Sequence, residues 1–267
     1  VKPTKLISSL QNPLVKQAML LKEKARERKK TGLFVVEGQR EIRLALKGGY
    51  QLKTLLYNPN IIAAQGIETI SGNASIEVIE TTPQVYEKIA HRGTTEGVLA
   101  IAQSKPHSLN TLNIKQENPL ILVAEAPEKP GNIGALLRTA DAAKLDAVLI
   151  ANPKTDLYNP NIIRSSVGSL FTNQVGLGNT EEIIHYLKNK GIKIFCAALS
   201  ASKNYVDCDF TKASALVMGA EATGLSASWL ENSDQNIIIP MQGEIDSMNV
   251  SVSAAILIFE AKRQRGF

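Results

Sequence analysis

The chain has 267 residues, 44% of them apolar and 21% charged, which suits one large globular domain or two modest ones and excludes collagen-like, mucin-like and globally disordered classes. No stretch approaches the roughly 18–20 uninterrupted apolar residues of a membrane helix, and residues 1–30 lack the apolar core of a secretion signal. Cys196, Cys208 and three scattered histidines make neither a zinc spacing nor a disulfide framework, so a cytoplasmic protein without a metal is expected.

The net charge of +5 is unevenly placed. Residues 1–30 hold nine basic groups against two acids, a net +7, and the remainder nets −2. This basic arm reads as a helix over 12–30 with Leu14, Met19, Leu20 and Leu21 as its main apolar positions. Such a concentration suits a polyanion, because each neutralised phosphate releases a condensed counterion; a solvated helix face is the alternative. Thr31-Gly32 ends the helix, and residues 33–36 read as a buried strand. A helix over 37–46 follows, with Ile42, Leu44 and Leu46 on its apolar side, stopped by Gly48-Gly49. Apolar runs at 52–57, 76–79 and 97–102 alternate with polar segments, predicting a small α/β domain over 31–104. Residues 105–118 are polar, aperiodic and bracketed by prolines, and read as a linker.

From residue 119 the pattern becomes regular. Apolar strands are predicted at 120–124, 147–150, 192–198, 215–218 and 237–239, with helices near 133–144 and 250–263. Buried strands alternating with helices imply a mostly parallel sheet covered on both faces. Ligands of such sheets collect at the carboxyl ends of the strands. Three loops there stand out: 125–134, leading into a helix with Arg138 and Thr139; 219–225, directly after a strand; and 239–253, leading into the last helix.

Familiar phosphate sites are poor matches. Gly219 and Gly224 have P-loop glycine spacing, but Leu225-Ser226 stands where Lys-Ser/Thr is required. Gly176-Leu177-Gly178 starts a dinucleotide fingerprint that fails at Glu181. There is no G-x-S-x-G, and His91, His107 and His185 lie outside the three loops.

Pro130-Gly131-Asn132-Ile133-Gly134 with Arg138, then Gly219 to Leu225, then Ile239-Pro240-Met241 with Ser247 to Ser253, resemble the three ordered motifs of the SpoU/TrmH family. These are ribose 2′-O-methyltransferases of the SPOUT superfamily. Upstream, Phe34-Val35-Val36-Glu37-Gly38 and Glu96-Gly97-Val98-Leu99-Ala100 resemble the L30e-like RNA-binding domain of its ribosomal-RNA members.

The resemblance implies a C-terminal domain over 119–267 threaded into a trefoil knot, working as a homodimer with S-adenosylmethionine as cofactor. Gly219, Ile239 and Met248, with Gly224 and Met241 beside them, would contact the cofactor through their main chains. Asn132, Arg138, Glu221, Ser247 and Asn249 would be the functional polar side chains, Glu221 fixing Arg138 or a loop amide. Structural roles also suit them: helix caps for Asn132, Ser247 and Asn249, a turn carboxylate for Glu221, a surface helix position for Arg138. With an RNA substrate, Lys22, Lys24, Arg26, Arg28, Lys29 and Lys30 are expected on phosphate, and Arg164 on phosphate or beside the cofactor. Aromatic residues are few, so phosphate and loop shape are expected to count for more than stacking. Ribosomal RNA is the expected substrate, with a transfer-RNA target or a non-catalytic RNA-binding or ribosome-assembly factor as alternatives.

Overall fold

A computed structural model describes residues 5–72, 76–91, 96–199 and 202–267. In chain order its elements are β1 (Lys5–Ile7), α1 (Pro13–Glu23), α2 (Ala25–Thr31), β2 (Leu33–Glu37), α3 (Gln39–Lys47), β3 (Leu52–Tyr57), α4 (Ala64–Ser71), β4 (Glu77–Thr81), α5 (Pro83–Ile89) and β5 (Val98–Gln103). They continue with β6 (Leu120–Glu125), α6 (Pro130–Ala142), β7 (Ala147–Ala151), α7 (Pro160–Ser165), β8 (Val175–Gly178), α8 (Thr180–Asn189), β9 (Lys193–Ala197) and β10 (Lys203–Asn204). The last four are β11 (Ser214–Met218), α9 (Ala227–Asn232), β12 (Gln235–Ile238) and α10 (Val250–Gln264). No described helix is long and apolar enough to cross a membrane.

The chain divides into two compact units, one of Val1–Lys105 with Asp156–Thr172, the other of Pro106–Thr155 with Asn173–Phe267. The first holds a five-stranded mixed sheet in the order β1-β4-β3-β5-β2, with β5 antiparallel to both neighbours. Its core joins Leu56, Ile79 and Leu99 of the sheet to Val85 and Tyr86 of α5 and to Val15, Ala18 and Leu21 of α1. That stripe at i, i+3 and i+6 is the buried face of α1. Residues 13–31 are therefore built into the domain rather than forming the separate arm expected from their charge.

The single helix expected over 12–30 is also two helices. Lys24 is extended, with φ −114° and ψ 108°, and its N–H closes α1 on the Leu20 carbonyl. The turn brings Arg28 inward: Nε and Nη2 donate to the two Asp156 carboxylate oxygens at 2.9 and 2.7 Å, and Nη1 donates to the Leu21 carbonyl at 2.6 Å. Asp156 opens a segment that sequence alone assigned to the second domain. Phe34 stacks on Tyr158, ring centroids 4.1 Å apart, and packs against Phe171 at 5.9 Å, so residues 156–172 complete the first unit's core.

The second unit holds a seven-stranded sheet in the order β10-β12-β9-β11-β6-β7-β8, and every pairing is parallel. Ile121, Val123, Leu149, Ile194, Ala215 and Val217 share a core with Ile183 and Leu187 of α8 and Trp229 of α9. Helices α6 and α10 pack on each other, with α10 against β11 and α6 against β7. Both faces are thus covered, which is why the strands read as unbroken apolar runs.

The expected linker is docked. Leu109, Leu112 and Ile114 pack on the second core, and the Leu177 N–H donates to the His107 carbonyl at 2.6 Å. Gly176-Leu177-Gly178, which begins like a dinucleotide fingerprint, forms most of edge strand β8. A Cβ on Gly176 would stand 3.0 Å from Leu112 Cδ1 and 3.1 Å from Leu109 Cδ2, so this glycine makes room for the docked segment.

Candidate active site

The carboxyl ends of β6, β11 and β12 carry the three loops singled out above, and β11 lies directly beside β6. The chain leaves β6 through Ala126, whose φ of +44° is left-handed and costly for a residue with a side chain. Just before it, Glu125 is buried. Its Oε1 accepts from Thr180 Oγ1 at 2.9 Å and Ser226 Oγ at 2.8 Å, and its Oε2 accepts from the Ser226 N–H at 2.8 Å. One carboxyl group thus ties the end of β6 to the start of α8 and the exit of the loop after β11. Sequence reasoning did not assign Glu125 a role, although an acid ending an apolar run is a visible signal for a buried, hydrogen-bonded group.

In the loop after β11, Gly219 and Gly224 have distinct jobs. Ala220 and Gly224 exchange N–H···O bonds at 3.1 and 2.9 Å, folding the loop back on itself. A Cβ on Gly219 would lie 2.5 Å from the Leu225 nitrogen and 2.6 Å from the Gly224 carbonyl oxygen, so only glycine permits this closure. Gly224 has φ +69° and nothing within 4 Å of an added Cβ, so it requires the left-handed turn rather than the space. At the tip, Glu221 Oε2 accepts from Lys129 Nζ at 2.6 Å. That hydrogen bond holds the Lys129 ammonium above its ordinary pKa. The expected Glu221–Arg138 pairing is not formed: Glu221 joins its loop to the entry of α6 instead.

Asn132 is inside the first turn of α6, after Pro130 and Gly131, and is not its cap. Its Oδ1 accepts from Asn249 Nδ2 at 3.3 Å, while its own Nδ2 is buried without a partner among the described residues. Asn249 is the cap of α10, accepting from the Ser251 N–H at 2.9 Å. The first and third loops therefore meet through two amides. Ser247 does not join them; it is exposed, and its hydroxyl donates to Asp246 Oδ1 at 3.0 Å. Ile239, Met241 and Met248 are half-buried. Among the described residues, no backbone–backbone hydrogen bond engages residues 240–248, leaving their peptide groups available to a ligand. Arg138 stands exposed on α6, with no described ion pair or hydrogen bond.

In the first unit, Lys24, Arg26, Lys29 and Lys30 are exposed, as is Arg164, which donates to Asn161 Oδ1 at 3.1 Å. Arg28 is buried against Asp156, and Lys22 donates to the Ile89 and Ala90 carbonyls at 3.0 and 2.9 Å. Both leave the set expected to reach phosphate. The partial burial that places Lys22 there also lowers its pKa.

Residues 119–259 match the SpoU rRNA Methylase family, and residues 12–100 match an MRM3-like substrate binding domain. This chain is a member of the SpoU rRNA methylase family. A relative from Bacillus subtilis, the 23S rRNA (guanosine(2553)-2′-O)-methyltransferase RlmP, is 31% identical over 97% of this chain and 99% of its own length. A crystal structure of an RNA 2′-O ribose methyltransferase is 35% identical with a TM-score of 0.84, covering 98% of this chain and 100% of that one. An AdoMet-bound rRNA methyltransferase from Sinorhizobium meliloti, 28% identical, superposes with a TM-score of 0.88 over 97% of each chain. The SpoU match spans all three loops, and the substrate-binding match covers the small α/β domain and most of the basic stretch.

Proposed function

We propose that this chain transfers a methyl group from S-adenosylmethionine to a ribose 2′-hydroxyl of ribosomal RNA, working as a homodimer. The observation that carries the reading is the Asn132–Asn249 contact, which joins the first and third family motifs and leaves the Asn132 Nδ2 group buried beside them without a partner among the described residues. The residues present fit the cofactor. Unengaged peptide groups at 240–248, the side-chain-free Gly219 and half-buried Ile239, Met241 and Met248 make a main-chain-lined, partly apolar cradle for an adenosine.

Bound S-adenosylmethionine supplies a sulfonium methyl; as the O2′–C bond forms the S–C bond breaks, and the hydroxyl proton must leave. The protein's tasks are orientation and charge stabilisation, and orientation alone contributes several kcal/mol. Arg138 is unsuited to act as a base, because a guanidinium with pKa above about 12 stays charged. It grips the target phosphate and stabilises the developing alkoxide. Asn132 offers an amide N–H at the same end of the sheet, and the Lys129–Glu221 pair holds two of the loops together. Exposed Val252 and Phe259 on α10, the helix packed on α6, supply apolar surface for a second copy. Trefoil threading belongs to the same proposal and is supported by the strand order, in which β11 returns between β9 and β6 after both are formed. Lys24, Arg26, Lys29, Lys30 and Arg164 reach RNA phosphate.

The test is methyl transfer from labelled S-adenosylmethionine to total RNA from cells lacking this protein, with the label mapped by alkali resistance of the modified linkage. Label in an alkali-resistant dinucleotide of ribosomal RNA is expected. Arg138→Ala should lower kcat by at least about 100-fold with cofactor affinity nearly intact. Cofactor binding without transfer to free RNA or isolated subunits would overturn the ribosomal substrate, and absence of cofactor binding would leave the RNA-binding factor.

A further inference from the structure

The first unit contains a cavity of about 270 Å³ that the methyl-transfer reading does not use. Its walls come from β2, the start of α3, the approach to β5 and α7, and they gather Glu37, Glu41 and Glu96 with Arg40 and Arg164 around Val35 and Ile163, Lys22 and His91 also reaching the lining. We propose that this cavity receives one unpaired nucleotide of the RNA, with a base carrying an exocyclic amine held by the Glu96 carboxylate and its phosphate held by Arg40 and Arg164. The inference rests on the reading of RNA as substrate and adds the grip by which the first unit selects it.

The cavity's construction favours that ligand. Gly38, at φ +102°, lies against Glu41: an added Cβ would stand 2.5 Å from Glu41 Oε2. Gly168, at φ +83°, lets the segment after α7 come close to Glu41, with an added Cβ 3.1 Å from Glu41 Cα. These two approaches set α7 beside α3 and make a walled recess. Glu96 accepts from the Gln39 N–H through Oε2 at 2.5 Å, leaving its Oε1 as an acceptor. Arg40 gives one N–H to Glu41 at 3.1 Å and Arg164 one to Asn161 at 3.1 Å; each keeps other donors and is exposed. Both Glu37 oxygens accept from the His91 N–H, at 3.1 and 2.9 Å, and Glu41 accepts from Arg40, so Glu96 Oε1 is the acceptor offered to the base. A carboxylate repels phosphate but pairs with amino hydrogens, which adenine, cytosine and guanine carry and uracil lacks. The volume is just below the roughly 300–1,000 Å³ of drug-sized ligand sites, which suits a single nucleotide rather than a stacked run. Single-stranded RNA is commonly read this way, by splayed bases hydrogen-bonded on their edges.

The experiment is fluorescence anisotropy of the full chain, without cofactor, on fluorescein-labelled A10, C10 and U10 RNA at one fixed salt concentration. Wild-type protein should bind A10 and C10 about tenfold more tightly than U10. Arg40→Ala/Arg164→Ala should weaken A10 binding by about tenfold or more. Glu96→Gln, whose amide oxygen still accepts from Gln39, should narrow the gap between A10 and U10. Equal binding of the three oligonucleotides by wild type, or unchanged A10 binding by the double arginine variant, would overturn the pocket. Methyl transfer to ribosomal RNA is measured separately on the same preparations. Loss of transfer by the wild type would overturn the parent reading without changing the ranking of the oligonucleotides.

Discussion

Glu125 and Arg28 are buried charged-type residues that composition would place on a surface, and each has its partners at hydrogen-bond distance. Glu125→Ala leaves the Ser226 N–H, the Ser226 hydroxyl and the Thr180 hydroxyl without their acceptor. Of these, Thr180 is buried, and an orphaned buried donor costs about 1–3 kcal/mol, whereas water can replace the acceptor at the exposed Ser226. The variant should melt several degrees lower and bind S-adenosylmethionine more weakly, because the exit of the Gly219–Ser226 loop is no longer tied to β6. Thermal melts and calorimetric titration check this; unchanged values for both would remove Glu125 from loop positioning. Arg28→Ala should destabilise the protein by about 3 kcal/mol, since the mostly buried Asp156 carboxylate would be left without its counterion. Lys29→Ala, one residue along on an exposed position, should leave denaturant stability within about 0.5 kcal/mol. Similar losses in the two variants would contradict the assigned burial.

The loop after β11 shows how an element's form follows from one missing side chain. With no Cβ at Gly219, Ala220 and Gly224 close a tight bridge, and the carbonyl and amide groups around it are held in one arrangement. Gly219→Ala should therefore raise the S-adenosylmethionine Kd by about tenfold or more while the chain stays folded, as followed by titration and circular dichroism. Gly224→Ala, which meets only left-handed strain of about 1–2 kcal/mol, should do less. Equal effects would show that space at Gly219 is not the constraint. Elements of this kind were legible in the sequence where a local rule governs them. The parallel strands β6, β7, β9 and β11 are continuous apolar runs, and Gly219 and Gly224 announce a tight turn. The break at Lys24, the docking of Leu109 and Leu112 over Gly176, and the return of residues 156–172 to the first unit were not legible. Each depends on a partner distant in the chain: Asp156 for Arg28, β8 for the docked segment, Phe34 for Tyr158 and Phe171. The site divides the same way. Three motifs mark the loops, but Glu221 finds Lys129 rather than Arg138 only once α6 and the β11 loop have been placed.

Across the whole molecule the charge is divided, with +7 in the first thirty residues and −2 in the rest. Folding sorts the basic residues further. Arg28 is neutralised by Asp156 and Lys22 is spent on two carbonyls, which leaves Lys24, Arg26, Lys29 and Lys30 exposed on α2 and its approach. Like charges this close gain nothing from one another, and their separation from the acidic remainder is what a polyanion partner requires. Neutralising these four residues together should lower RNA affinity and reduce the slope of log Kobs against log salt. The reduction expected is about 0.7–0.9 for each phosphate no longer neutralised, or about 3 if all four side chains touch phosphate. Thermal stability should be unchanged or slightly raised, because the repulsion within α2 is relieved. Binding of labelled ribosomal RNA across a salt series measures the slope. An unaltered slope with weaker binding would mean that these side chains serve shape recognition rather than phosphate neutralisation. An unaltered slope with unaltered affinity would return them to the role of a solvated helix face.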